Sequence, residues 1–175
     1  MIEVEVKGRA NSEVKEKIES KYPLIEEKVE VDVYFSHPCR DLAKTDEALR
    51  VRRERKLTGE RQSLAYKGPK VDPLSKTRLE VELEVNSASK TENLLKLLGF
   101  KPIATVKKRR RVYRVDRRTL IFYDEVEGLG EFVEAEVRVA SPEEIPATRD
   151  DLISLLKSLG VKNFTRLSYL ELLQK

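Results

Sequence analysis

The chain of 175 residues has no tryptophan, one methionine, one histidine (His37), one cysteine (Cys39) and two glutamines, Gln62 and Gln174. A single cysteine excludes an intrachain disulfide and suits a reducing interior. His37 and Cys39 flank Pro38 in a stretch of loop composition, and neither is given chemistry. No apolar run approaches the length of a membrane span. The first residues are acidic and alternating, which excludes a secretory leader. A cytoplasmic protein with no membrane partner is expected. A strong charge excess is also missing: 35 basic residues face 31 acidic ones for a net charge of +4. So mild a balance does not call for a nucleic-acid partner, because the acids repel a phosphate backbone wherever they are unmasked. The length suits one domain, residues 1–175, with a real core.

What is abundant is charge, at 38% of all residues, and it is patterned. Glu3-Val4-Glu5-Val6-Lys7 alternates with the period of a β-strand, placing Glu3, Glu5 and Lys7 on one face. The pattern returns at Leu49-Arg50-Val51-Arg52, at Arg78-Leu79-Glu80-Val81-Glu82-Leu83-Glu84 and at Phe132-Val133-Glu134-Ala135-Glu136-Val137-Arg138. One such strand is ordinary, since antiparallel sheets often wet one face. Four whose polar faces are nearly pure carboxylate or guanidinium suggest a closed barrel with a charged lumen. Carboxylates beside cations suit a polyanion together with a divalent metal.

Along the chain, helices are expected over Glu13 to Lys21 and from Ser87 or Ser89 to Gly99. Another is expected from an Asp150 cap onward, and a last one over Arg166 to Leu173. Strands fill most of the remainder, with a hairpin about Thr58-Gly59-Glu60, a mobile segment through Asp72-Pro73 and a linker over Pro142 to Pro146. About eight mostly antiparallel strands result, near the number whose barrel encloses one small ligand. Lys107-Lys108-Arg109-Arg110-Arg111 is a basic run, but neither a recognition helix nor stacking aromatics accompany it, so it is taken as a strand.

Taken in order, several motifs resemble the CYTH superfamily, the triphosphate tunnel metalloenzymes. They are Glu3-x-Glu5-x-Lys7, Asp32-Val33-Tyr34-Phe35 with Pro38, Ala48 to Arg52, Tyr66-Lys67-Gly68-Pro69, Arg78-x-Glu80-x-Glu82, and Asp124 to Gly130 with Glu134-x-Glu136. Ser168 to Leu173 is similar to the ending of class IV adenylyl cyclase-like members. The resemblance implies an α+β fold, an eight-stranded antiparallel tunnel with helices packed outside. It implies a triphosphate ligand such as inorganic triphosphate or ATP, with Mg²⁺ or Mn²⁺, and leaves room for a homodimer. By it, Lys7, Arg50, Arg52, Lys67, Arg78, Lys107, Arg109 and Arg111 hold phosphates. Glu3, Glu5, Glu134 and Glu136 carry metal, joined by Glu80 and Glu82, with Asp124 a further lumen acid in the catalytic set. Lys7 and Tyr34 activate water. A triphosphate hydrolase is the expected activity, and an adenylyl cyclase the alternative.

Overall fold

The alternation from Ile2 onward forms strand β1 (Ile2–Arg9) in the computed structural model, which describes residues 2–175. The chain continues through α1 (Ser12–Lys21), β2 (Leu24–Ser36), β3 (Ala48–Lys56), β4 (Gly59–Lys70), β5 (Arg78–Glu84) and α2 (Ala88–Leu97). It ends with β6 (Lys101–Arg114), β7 (Thr119–Val126), β8 (Gly130–Val139), α3 (Ile145–Ser158), the two-residue β9 (Phe164–Thr165) and α4 (Tyr169–Leu173). Antiparallel neighbours run β5-β4-β3-β2-β6-β7-β8-β1, and the pairing of Glu3 with Arg78 joins β1 back to β5. An eight-stranded barrel closes there, with four helices outside it. β9 takes up the edge of β1 at Lys7 and Gly8, beyond that seam.

The barrel is inverted relative to an ordinary globular core. Its valine and leucine faces point outward; helices cover those of β1, β7 and β8 and parts of β2, β3 and β6, whereas Leu79, Val81 and Leu83 of β5 stay exposed. Val4 and Val6 of β1, Val133, Ala135, Val137 and Val139 of β8, Ile121 and Tyr123 of β7 and Tyr113 of β6 pack under α1 and α3. Val14 and Ile18 come from α1, and Leu152 and Leu156 from α3. Phe35 and Val51 pack instead beneath Ala88 and Leu95 of α2. Burying these faces drives folding at roughly 25 cal/mol per Å², which frees the inner faces to carry charge.

Local signals set the helix ends. Asn11 accepts a hydrogen bond from the Val14 amide, and Ser87 one from the Lys90 amide, each satisfying a donor that the first turn leaves open. Three expectations need correction. α3 begins at Ile145 rather than at an Asp150 cap, because Pro146 sits in the first turn, where its missing N–H costs nothing. The segment through Asp72-Pro73 is not mobile: Asp72, Ser75 and Thr77 are buried, Arg149 pairs with Asp72 at 2.8 Å, and Arg166 donates to the Asp72 and Ser75 carbonyls. The last helix starts at Tyr169, with Ser168 and Glu171 forming a capping box, after Phe164–Thr165 has joined the sheet. Among the described residues no helix is long and apolar enough to cross a membrane.

Candidate active site

The inward faces enclose a cavity of about 1530 Å³. Register fixes what meets inside. On β1 and β8, Glu3 lies opposite Arg138, Glu5 opposite Glu136 and Lys7 opposite Glu134. On β2 and β3, Asp32 lies opposite Arg52 and Tyr34 opposite Arg50. On β4 and β5, Lys67 lies opposite Glu80.

Most inward cations already have carboxylate partners. Arg52 grips Asp32 with two bonds of 2.6 and 2.7 Å and reaches Glu30 at 3.0 Å. Burial works to raise the Asp32 carboxyl, but Arg52 and Arg50 overcome it and hold it at about 2. Glu30 is also approached by Lys108 at 3.0 Å and Lys28 at 3.4 Å, yet neither of its buried oxygens receives a well-directed hydrogen bond. Arg110 grips Asp124 and also touches Glu134. Arg50 is held more loosely, at 3.4 Å from Glu80 and 3.3 Å from Glu82, and its buried Nε has no partner.

The acids of β1 and β8 form the opposite situation. Burial together with Glu3 and Glu5 pushes the Glu136 carboxyl up to about 8, and burial with Glu80 and Glu5 raises Glu3. Glu134 is different: burial would raise it, but Lys7, Lys76 and Arg110 hold it well below the usual range. Burial and neighbouring acids outweigh Lys67 and Arg138, so Glu3 and Glu136 hold their protons more readily than ordinary carboxyls. Glu5 stands beside them, tied to Lys76 at 2.5 Å. Among the described residues no three His, Cys, Asp or Glu side chains form a ready cage for a metal. Mg²⁺ does not need one, since it commonly takes one or two carboxylates and completes its shell with phosphate and water. The donor chemistry of Glu3, Glu5 and Glu136 fits such an ion. Glu80, Glu82 and Glu134, also expected to carry metal, are paired with cations in this structure, Glu80 with Arg50 and Lys67, Glu82 with Arg50 and Arg61, and Glu134 with Lys7 and Lys76.

Eleven of the expected residues line the cavity: Glu3, Glu5, Tyr34, Arg50, Arg52, Lys67, Arg78, Glu80, Glu82, Glu134 and Glu136. Lys7 and Asp124 lie behind that lining. The Lys7 ammonium is shut in 2.9 Å from Glu134 and 3.4 Å from the centre of the Tyr169 ring. Burial pushes it down to about 7. The tyrosine beside Lys7 is thus Tyr169; Tyr34 faces the cavity but shows no hydrogen bond to Lys7 among the described residues. Asp124 is fully buried, and Arg110 and Tyr169 use its two oxygens, so it braces the wall.

Lys107, Arg109 and Arg111 are on the wrong face. β6 turns Lys108 and Arg110 inward, while Lys107 and Arg109 are exposed outside and Arg111 pairs there with Glu125 at 2.7 Å. A run of five basic residues carries no contrast between its faces. Tyr113 would have supplied it, because a core-facing Tyr113 sends 107, 109 and 111 outward with it. Further cavity residues not singled out from the sequence include Lys28, Glu30, Glu54, Lys76 and Tyr169. Lys76 comes from the segment taken as mobile, so period two gave no hint of it. Burial disfavours its charge, but Glu5 and Glu134 overcome that and keep it firmly protonated.

A family model described as CYTH domain matches residues 1–169. A provisionally named adenylate cyclase from Methanocaldococcus jannaschii is 36% identical over 177 residues, covering 98% of each chain. An adenylate cyclase of Aeromonas hydrophila is 29% identical over 140 residues, 80% of this chain and 69% of that protein. A solved structure of a Pyrococcus horikoshii protein superposes with a TM-score of 0.97 at 47% identity, covering 98% of each chain.

Proposed function

The chain belongs to the CYTH domain family, and on that footing we propose that it is a divalent-metal-dependent triphosphatase acting on inorganic triphosphate or a nucleoside triphosphate within the barrel. The observation that carries this reading is the division of one cavity into a cation-lined wall and an acid corner whose Glu136 is pushed up to about 8. A triphosphate brings about four negative charges to the first, and Arg and Lys match them at several oxygens. Glu3, Glu5 and Glu136 would hold Mg²⁺ or Mn²⁺, which when bound supplies a Lewis acid at a phosphoryl oxygen.

The residues of this chain do the rest by placement. Arg50, with a spare buried N–H, and Lys67, Arg78, Lys108 and Arg110 bind phosphate oxygens and fix the ligand along the tunnel. Lys76 bridges Glu5 and Glu134 and keeps a positive charge between the acid corner and the phosphates. Lys7 lies behind the cavity lining, 2.9 Å from Glu134, so its part is to hold that carboxylate in place. The loose transition state of phosphoryl transfer asks mainly for positioning and charge neutralisation, which this wall offers.

The names of two curated relatives favour a second reading, an adenylyl cyclase. There the ribose 3′-hydroxyl would be in line with the α-phosphorus, and the products would be cyclic AMP and pyrophosphate. One product assay separates the two. With ATP or triphosphate and Mg²⁺ or Mn²⁺, orthophosphate marks the hydrolase and cyclic AMP the cyclase. Neither product would leave a polyphosphate-binding module and overturn the proposal.

A further inference from the structure

The outer face of β5 is apolar and has no helix over it. Its inward residues Arg78, Glu80 and Glu82 line the cavity, while Leu79, Val81 and Leu83 point outward and are 50 to 58% exposed. Val81 lies opposite Tyr66 and Leu83 opposite Leu64, so the apolar surface continues onto β4. A strand face that water alone covers ordinarily carries polar side chains.

The neighbouring helix α2 has the opposite surplus. It packs on β3 and β4 through Ala88 and Leu95. Gln62 accepts the Ala88 amide and Arg53 pairs with Glu92, which fixes α2 in that place rather than over β5. At 100° per residue, Leu94, Leu97 and Leu98 fall on the side away from the barrel, where a surface helix carries polar residues. They are 57 to 78% exposed. Lys90 is exposed on that same side. A helix with apolar residues on both sides is suited to burial on both.

Sheet without helix and helix without sheet thus lie side by side on one surface, which makes that surface complementary to itself. Self-complementarity is the requirement of a two-fold interface. We propose that a second copy of this chain docks here about a two-fold axis, α2 of each copy lying on β5 of the other. Each β5 then gains the cover that its own chain does not give it, and burial of the leucines drives association. The charges match as well: the spare cation of α2 is Lys90, and the end of β5 carries Glu84, whose side chain is 70% exposed. This interface is independent of the reaction inside the barrel.

Sedimentation velocity over a range of concentrations tests the interface on the wild type, on Val81→Glu in β5 and on Leu97→Glu in α2. The wild type is expected to sediment with twice the mass of one chain. Each variant is expected to raise the dissociation constant of the dimer tenfold or more, because the new carboxylate would be buried unpaired. Leu79→Ser and Leu94→Ser, outward on the same two elements, replace either variant that a melting curve shows to be poorly folded. A wild type that stays monomeric at every concentration overturns the proposal. So does a dimer that tolerates substitution in β5 or in α2, since the reciprocal contact needs both.

Discussion

Tyr169 donates a 2.7 Å hydrogen bond to Asp124, whose other contacts are the two arms of Arg110. The last helix is thereby fastened to the inner wall of the barrel, and its aromatic ring also lies edge-on to Phe132. Replacing Tyr169 with Phe keeps the ring and removes one of the two donors to Asp124 Oδ2, the other being Arg110. The expected cost is about 1–3 kcal/mol, seen as a melting temperature lower by roughly 2–4 °C per kcal/mol for a chain of this length. An unchanged thermal melt would show that the bond does not hold the helix.

Glu136 binds its proton more tightly in the fold than in the unfolded chain, with its value raised from 4.5 to about 8. The stability it contributes is complete below about 4.5 and is lost as the pH rises through 8. Glu136→Gln abolishes that loss. Without metal, the variant should match the wild type near pH 5 and melt at a higher temperature than it above pH 8. Mg²⁺ should narrow the gap at high pH. Parallel melting curves across the range would contradict the assignment of the acid corner.

The two faces of β6 give a direct comparison. Lys108→Ala and Arg110→Ala remove inward cations, and each should weaken triphosphate binding by tenfold or more, since a bond to a charged phosphate is worth about 1.5–3 kcal/mol. Lys107→Ala and Arg109→Ala act at exposed outer positions and should leave affinity within about twofold. If the outer pair matters as much as the inner one, the strand sits in another register when ligand binds.

Glu134 is surrounded by Lys7 at 2.9 Å, by Lys76 at 3.5 Å and by Arg110. Glu134→Gln strips a buried cluster of its shared counter-charge, a change that commonly costs about 3–5 kcal/mol. Urea denaturation should show that loss in the absence of any metal. A metal requirement that rises with no loss of stability would instead make Glu134 a metal carboxylate.

Filling the cavity should stabilise the fold by linkage, by about 2.7 kcal/mol when ligand is at a hundred times its Kd. Triphosphate with Mg²⁺ is expected to raise the melting temperature well beyond orthophosphate at equal concentration. The same shift from both would mean that only a single phosphate is recognised.

The barrel and its inward charge were legible wherever valine alternates with a single kind of charge. Glu3 and Glu5, Arg50 and Arg52, Glu80 and Glu82, and Glu134 and Glu136 all reach the cavity as their spacing required. Period two failed at Lys107 to Arg111, where both faces are basic and only Tyr113 marks the outside. It was silent at Lys76, which is placed by tertiary contacts: its amide donates to the Glu5 carbonyl at 2.9 Å. Partnership was the other hidden layer. Sequence shows that Glu80 and Glu134 face inward, but not that Lys67 and Lys7 claim them first.

The seam of the barrel has a bearing on how the protein comes into being. β1 precedes the other strands of the barrel in the chain and finds its long partner only in β8, from Glu3 with Arg138 to Arg9 with Phe132. Its contact with β5 is the single pairing of Glu3 with Arg78. Pairings between such distant parts of a chain form late, because a long loop must close before they are rewarded. The hairpins from β2 to β4 and from β6 to β8 have no such delay. A nascent chain on the ribosome therefore holds Glu3 and Glu5 idle until β8 has emerged. On the proposed reading, a chain that lacks β8 has no closed cavity and binds no triphosphate.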